Sequence, residues 1–98
     1  MKLRFQRAKS YIGFGMTTPI IINNEIIYRL KNGEVFEYDI NNLETIVLKG
    51  NIFIKDLKIP IEGFDKNVDI LIQYTGNICR TNIQAIVSEQ GKLIGVYQ

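Results

Sequence analysis

The 98-residue sequence has no histidine, no tryptophan, one cysteine and two prolines. Serine and cysteine hydrolases need a base beside the nucleophile, and without an imidazole only a lysine or a carboxylate remains for that role. The same absence excludes the usual zinc site of cysteine and histidine ligands, and Cys79 alone cannot form an internal disulfide. We therefore expect a protein of a reducing compartment that is not an enzyme and holds no metal or other cofactor.

Long hydrophobic runs are also absent, since no window approaches the roughly eighteen apolar residues of a membrane-spanning helix. The stretch YIGFGMTTPIII is interrupted by glycine, threonine and proline, unlike the core of a secretory signal peptide. Hydrophobic residues make up 46% of the chain, which is enough for one modest core, and the chain is too short to divide into two domains. We expect one domain over residues 1–98, cytoplasmic and without a membrane span.

The net charge is only +2, but the charges are unevenly distributed along the chain. Lys2, Arg4, Arg7 and Lys9 are the only charged residues before Glu25. The remainder of the chain is slightly acidic, so the N-terminal segment is the one basic feature of the sequence.

Isoleucine is abundant, together with valine, tyrosine and phenylalanine, and these residue types favour strands. Apolar and polar residues alternate with period two almost throughout, and no long window has the period of an amphipathic helix. Asparagine and glycine separate the alternating segments at short intervals, which is typical of a sandwich or small barrel. We predict an all-β fold, a single antiparallel β-sandwich of about seven to nine short strands in two sheets. The predicted strands lie near residues 2–7, 18–23, 25–30, 34–40, 43–49, 51–59, 68–75, 78–88 and 92–97.

The predicted core follows from the alternation, because every second residue of a strand faces the same side of its sheet. Segment 68–75 has the most regular pattern, with Val68, Ile70, Ile72 and Tyr74 facing inward. The predicted core consists of Phe5, Ile22, Tyr28, Phe36, Tyr38, Phe53, Ile70, Ile72 and Ile83.

The segment NEIIYRLKNGEVFEY, residues 24–38, predicts a β-hairpin. A two-residue Asn-Gly turn would pair Tyr28 with Glu37 and mix aromatic and acidic side chains on one face. A three-residue loop that ends at Gly33, in the left-handed conformation, instead pairs Tyr28 with Phe36 and gathers the apolar side chains on one face. We therefore predict a hairpin whose turn depends on Gly33.

The segment YIGFGMTTP places Tyr11, Phe14 and Met16 around two glycines in a stretch that should connect strands. Such a loop is a candidate contact surface for another protein. Its Gly-Phe-Gly is not a phosphate-binding loop, because the remaining glycine, the lysine and the following helix of such motifs are missing. The alternative is that the loop crosses between sheets and packs its aromatic side chains inside.

Other candidate chemistry is better explained by structural roles. The neighbouring arginine would lower the pKa of the Cys79 thiol, but a small, half-buried strand residue is the simpler interpretation. Two acidic pairs could act as acid and base or hold a cation, yet charges on solvated faces and loops account for them. These pairs are Glu37 with Asp39 and Glu62 with Asp65.

The basic first strand supports an alternative function. Lys2, Arg4 and Arg7, with aromatic side chains nearby, have the composition of a single-stranded nucleic-acid binder, and a small barrel would suit that role. The competing interpretation is a solvated edge strand, on which lysines deter pairing between sheets. We keep nucleic-acid binding as the alternative to protein binding.

The order LRFQRAKSYIGFGMTTPIIINNEIIYRLKNGEVFEYDI is similar to the opening of a loosely defined group of small bacterial β-sandwich proteins. It also resembles the PEGA type of sandwich, although the usual proline-rich middle and the closing Gly-Tyr are missing. The resemblance covers residues 3–40 and consists mostly of turn residues. It implies a β-sandwich fold and no activity. The asparagine- and isoleucine-rich composition is typical of an AT-rich genome and indicates a Gram-positive bacterium or its phage as the source.

Taken together, these features predict a non-catalytic protein-interaction or accessory module. Its partner would be another protein or a second copy of the chain, bound through the loop around Phe14 or through an unpaired edge strand.

Overall fold

The computed structural model describes residues 1–11, 15–76 and 80–98. Within these residues the chain forms nine strands and no helix. The strands are β1 (Lys2–Arg7), β2 (Thr18–Ile22), β3 (Glu25–Leu30), β4 (Val35–Asp39), β5 (Ile46–Leu48), β6 (Leu57–Ile59), β7 (Val68–Gly76), β8 (Thr81–Glu89) and β9 (Lys92–Tyr97).

The strands form two sheets, which confirms the predicted all-β sandwich. The five-stranded sheet has the order β4-β1-β7-β8-β9, and the four-stranded sheet has the order β3-β2-β5-β6. All pairs are antiparallel except β1 with β7, which run parallel. The sandwich is therefore antiparallel, as predicted, except at this one pair.

Most predicted strands match the observed ones within two or three residues at each end. The exception is the predicted strand 51–59, of which only Leu57–Ile59 is a strand. The start of the predicted strand 78–88 lies partly outside the described residues, and β8 begins at Thr81.

The centre of the five-stranded sheet is formed by β7 and β8, whose alternation is the most regular in the sequence. Ile70 lies opposite Val87, and Ile72 lies opposite Ala85. All four side chains are buried, because paired residues share a face and this face is covered by the four-stranded sheet. The predicted inward face of β7 is therefore confirmed.

The basic first strand is not an edge strand, so that interpretation was wrong. β1 lies between β4 and β7, and its Leu3 and Phe5 are completely buried. Both of its hydrogen-bonding sides are occupied by neighbouring strands. The charges of β1 therefore do not serve to protect an open edge.

The predicted hairpin between β3 and β4 was wrong, although its turn was located correctly. β3 and β4 belong to different sheets, and β4 pairs with β1 instead. Between them the amide of Glu34 donates a hydrogen bond to the carbonyl of Lys31 (3.0 Å). Gly33 has the predicted left-handed conformation, with φ = +76°, so this turn carries the chain from one sheet to the other.

Tyr28 and Phe36 do face each other, but across the sandwich. Their rings are stacked with centroids 4.2 Å apart and an interplanar angle of 4°. The Tyr28 hydroxyl donates a hydrogen bond to Glu34 Oε2 (2.6 Å). These contacts cover the core on the side of the sandwich where β3 and β4 are the edge strands.

The predicted core is largely confirmed. Of its members, Phe5, Ile22, Ile70, Ile72 and Ile83 are buried, and Tyr28, Phe36 and Tyr38 are partly buried against the core. Phe53 is exposed, so its assignment to the core was wrong.

We expect Gly33→Ala to lower the free energy of unfolding by about 1 kcal/mol, because a Cβ is disfavoured at positive φ. Its nearest neighbour would be the Lys9 side chain, with Cγ at 2.9 Å, which is flexible enough to move. Urea denaturation measures the change. Gly15→Ala is the matched control, since Gly15 has no atom within 4 Å of the added Cβ and no positive φ. Equal stability of the two variants would contradict the role assigned to Gly33.

Candidate binding surface

The topology brings four connections to one end of the sandwich. β1 and β7 run in parallel toward this end, and the chain returns from it in β4 and β8. In the other sheet, β3 and β5 end there, and β2 and β6 begin there. We call this surface the loop end, and its described residues are 8–11, 15–17, 31–34, 49–56 and Arg80.

The connection from β5 to β6 is an ordered turn built around Asn51. Asn51 Oδ1 accepts hydrogen bonds from the amides of Phe53 (2.8 Å) and Ile54 (3.0 Å). The amide of Asn51 donates to the carbonyl of Ile54 (2.9 Å). At the base of the turn, Asp56 Oδ1 accepts a hydrogen bond from the amide of Gly50 (2.8 Å). The turn therefore has its own network of hydrogen bonds, which limits its freedom to fold its side chains inward.

Ile52 and Phe53 project from the tip of this turn into solvent. They are 88% and 86% exposed, whereas the next residue, Ile54, is buried in the core. Sequence alternation assigned Phe53 to the core because it assumed a continuous strand, but the Asn51 turn displaces the inward position by one residue. A single exposed hydrophobic residue is common, but two adjacent large ones on an ordered tip are the type of feature that marks an interaction surface.

The predicted contact residues Tyr11, Phe14 and Met16 have different placements. Tyr11 is fully exposed, Phe14 lies outside the described residues, and Met16 is partly buried against the core. Met16 Sδ lies 3.7 Å from Asn51 Nδ2. Met16 therefore joins two connections of the loop end, while Tyr11 is available for contact.

The loop end is basic. Its two acidic residues both accept hydrogen bonds from within the loop end, Glu34 from the amide of Lys31 (2.9 Å) and Asp56 from the amide of Gly50. The hydrogen bonds from the Tyr28 hydroxyl and from the Lys31 amide lower the pKa of Glu34. Five cationic side chains are exposed around them: Lys9, Lys31, Lys49, Lys55 and Arg80.

The opposite end of the sandwich has the opposite charge. Of its four connections, residues 23–24 and 90–91 carry no charge, and residues 40–45 and 60–67 carry three carboxylates and one lysine. The molecule is therefore electrically polarised along its strands, which the charge pattern of the sequence did not reveal. We call this surface the acidic end, and the charged residues of its connections are Glu44, Glu62, Asp65 and Lys66.

An open cleft lies beside the exposed tip. It has a volume of about 400 Å³ and is lined by Phe53, Lys55, Arg80, Thr81 and Asn82. An aromatic ring, two cations and two polar side chains thus line one depression. This combination suits a partner that offers both an apolar group and negative charge.

Arg7 is not at this surface but underneath it. Its side chain is buried, and its Nη1 donates to the carbonyls of Met16 and Leu30, the latter at 3.2 Å. The guanidinium carbon lies 4.7 Å from the centroid of the Tyr74 ring, within the range of a cation–π interaction. Desolvation lowers the pKa of Arg7, which Tyr74 partly offsets. Arg7 therefore holds the connection to β2 in place and offers no charge to a ligand.

The other two cations of β1 are exposed but paired with carboxylates. Lys2 Nζ lies 2.6 Å from Glu37 Oε2, and Arg4 Nη1 lies 3.9 Å from Asp69 Oδ1. The hydrogen bond between Lys2 and Glu37 raises the pKa of the lysine and lowers that of the carboxyl. Of the three cations predicted for nucleic-acid binding, two are thus paired with carboxylates at the surface and Arg7 is buried.

The acidic residues that were candidates for acid–base chemistry or cation binding lie in different parts of the fold. Glu37 pairs with Lys2, Glu62 and Asp65 lie in the exposed connection 60–67, and Cys79 is outside the described residues. In residues 1–11, 15–76 and 80–98, no three acidic or cysteine side chains come together in an arrangement that would hold a metal ion.

We expect Arg7→Ala and Arg4→Ala to differ sharply in stability, although each removes one positive charge from β1. Arg7→Ala leaves buried carbonyls without their donor and opens a cavity, which should lower the free energy of unfolding by about 3 kcal/mol. Arg4→Ala removes only a surface contact and should cost at most about 0.5 kcal/mol. Urea denaturation of both variants tests this, and similar losses would show that the Arg7 contacts contribute little.

The described part of the chain offers no helical segment with the length and hydropathy of a transmembrane span. No family model, no curated protein and no solved structure matches this chain.

Proposed function

We propose that this protein is a non-catalytic protein-binding module of the bacterial cytoplasm, and that the loop end is its contact surface. The observation that carries the proposal is the exposed pair Ile52 and Phe53 on an ordered turn. Burying two such side chains against a partner contributes about 1.5–3 kcal/mol each. Since the turn is already ordered, little conformational entropy is lost when it binds.

The charge of the loop end indicates the kind of partner. The loop end carries five exposed cations, of which Lys55 and Arg80 line the cleft beside Phe53. Its two carboxylates accept hydrogen bonds from backbone amides. A partner surface with acidic side chains around an apolar pocket would complement this arrangement. Charge complementarity would mainly accelerate association and select against basic partners.

Single-stranded nucleic acid is the second candidate at the same surface. Tyr11 and Phe53 are exposed aromatic side chains among cations, which is the combination that stacks bases and binds phosphates. Ile52 favours the first proposal, because an aliphatic side chain at the tip has no role in base stacking but fits an apolar pocket of a protein.

The test begins by replacing Phe53 with a photoreactive benzoylphenylalanine and irradiating the protein in lysate of its source organism. The same probe at Glu62, on the acidic end, is the matched control. We expect a discrete crosslinked protein from position 53 and none from position 62. The captured protein is then produced separately, and its dissociation constant is measured by calorimetry.

The variant Ile52→Ser/Phe53→Ser should bind this partner at least about 10-fold more weakly, because it loses apolar contact area. Its melting temperature should stay within about 2 °C of the parent protein, since neither side chain is packed in the core. Ile54→Ser is the control for stability, and it should lower the melting temperature strongly because Ile54 is buried.

Two results would contradict the proposal. One is unchanged affinity of the double variant for the captured protein. The other is binding of a fluorescent single-stranded oligonucleotide at about 50 mM salt that weakens steeply as salt is added, which would favour nucleic acid.

A further inference from the structure

The four edge strands of the sandwich differ in how well they resist pairing with another chain. β4 carries the exposed acids Glu37 and Asp39, and β6 has only three residues with Lys58 at its centre. β3 has Glu25 and Arg29 along its length. Charges and short length are the usual protection of sheet edges, so these three edges are protected.

β9 has the least protection. Its sequence KLIGVY has one charge, at its first residue, and three of its large apolar side chains are exposed: Leu93, Ile94 and Val96. The five-stranded sheet also has one strand more than the other sheet. An extra residue, Ile94, interrupts the pairing with β8, which leaves the regular stretch from Gly95 onward as the accessible edge.

Val96 is the end of an apolar row on the outer face of the five-stranded sheet. Ala85 and Val87 are buried on the inner face, so Ile86 between them faces outward. Ile86 lies opposite Leu71 on one side and Val96 on the other. The row therefore runs across β7, β8 and β9 and reaches the open edge at Val96, which is 49% exposed.

We propose that two copies of this chain pair antiparallel through β9, with the two-fold axis at Val96, to form a continuous ten-stranded sheet. An antiparallel edge is complementary to its own copy, because each strand offers the same alternation of donors and acceptors. With Val96 on the axis, it faces Val96 of the second copy, and Gly95 faces Tyr97. The apolar row then continues across the interface without a break.

Charge favours the same arrangement. Lys92 lies far from its counterpart across the axis, so no like charges meet along the edge. Ile86, opposite Val96, is near the middle of β8 (Thr81–Glu89), so the two sandwiches lie level and side by side. Since their strands run in opposite directions, the basic loop end of each copy lies beside the acidic end of the other.

Assembly should stop at two copies. The edge of the five-stranded sheet that remains free in the dimer is β4, and its central residue Glu37 would face its own copy in a symmetric pairing centred there. Two carboxylates opposed in this way are unfavourable. The contact consists of one short strand edge, so little surface is buried and the association should be weak. We therefore expect the dimer to form only at high protein concentration.

The test is light scattering after size-exclusion chromatography, from about 10 μM to about 1 mM protein, which spans the range expected of a small interface. The mass should rise from 11.3 kDa toward twice that value. Val96→Lys and Val96→Glu should each weaken association at least 10-fold, because each charge faces its own copy. An equimolar mixture of the two variants should restore the dimer, because opposite charges then meet at the axis.

Val35→Lys is the matched control, since Val35 is similarly exposed (42%) on the opposite edge strand β4, and it should leave the mass unchanged. Ile52→Ser/Phe53→Ser should also dimerise normally, which separates this proposal from the proposed function.

A monomer at every concentration overturns the proposal, as does dimerisation that Val96→Lys does not weaken. A mixture of the two charged variants that stays monomeric overturns the assigned axis. Should the charged variants unfold, amide hydrogen exchange of the parent protein decides: slower exchange in β9 but not in β4 at high concentration supports the proposal, and equal exchange overturns it.

Discussion

The buried guanidinium of Arg7 is the contact on which the arrangement at one end of the sandwich depends. Arg7 belongs to the five-stranded sheet, as does Tyr74, whose ring lies against the guanidinium. The carbonyls that accept its hydrogen bonds belong to Leu30 in the other sheet and to Met16 just before β2. The Tyr74 hydroxyl also shares a 2.6 Å hydrogen bond with Thr18 Oγ1 of β2. One side chain thus joins both sheets through directional contacts, which specify their relative position in a way that non-directional apolar burial does not.

The fold class could be predicted from the sequence because alternation is a local property. The residues of one strand are enough to predict which of its side chains face inward. This prediction was correct for Val68, Ile70 and Ile72. The pairing of strands, in contrast, is not a local property. Stacking of Tyr28 on Phe36 satisfies the same apolar pattern whether the two strands are neighbours in one sheet or face each other from two. Which of the two arrangements forms depends on β1, because β1 pairs with β4. β1 is distant from β4 in the sequence.

The candidate surface was harder to predict than the fold. Phe53 and Ile54 are both large hydrophobic residues of the same short apolar run. The turn set by the hydrogen bonds of Asn51 leaves Ile54 buried and Phe53 exposed. Glycine and asparagine at positions 50 and 51 are typical turn residues, but the predicted strand 51–59 includes the apolar residues that follow them. The basic character of the loop end comes from lysines in separate connections, so no local charge pattern could reveal it. The stretch around Tyr11 could be predicted to connect two strands, because its glycines are visible in the sequence, and Tyr11 is exposed there.

The polarity of the molecule constrains how its two proposed contacts combine. Pairing through β9 uses the side of the sandwich, whereas Ile52 and Phe53 lie at its end, so one contact does not cover the other. Because the paired strands run antiparallel, the two loop ends of a dimer would point in opposite directions. Such a dimer would hold two partners apart on either side and could not place both tips on one flat surface. A dimer formed in the proposed way would therefore connect two separate partner molecules and would not increase the affinity for a single one.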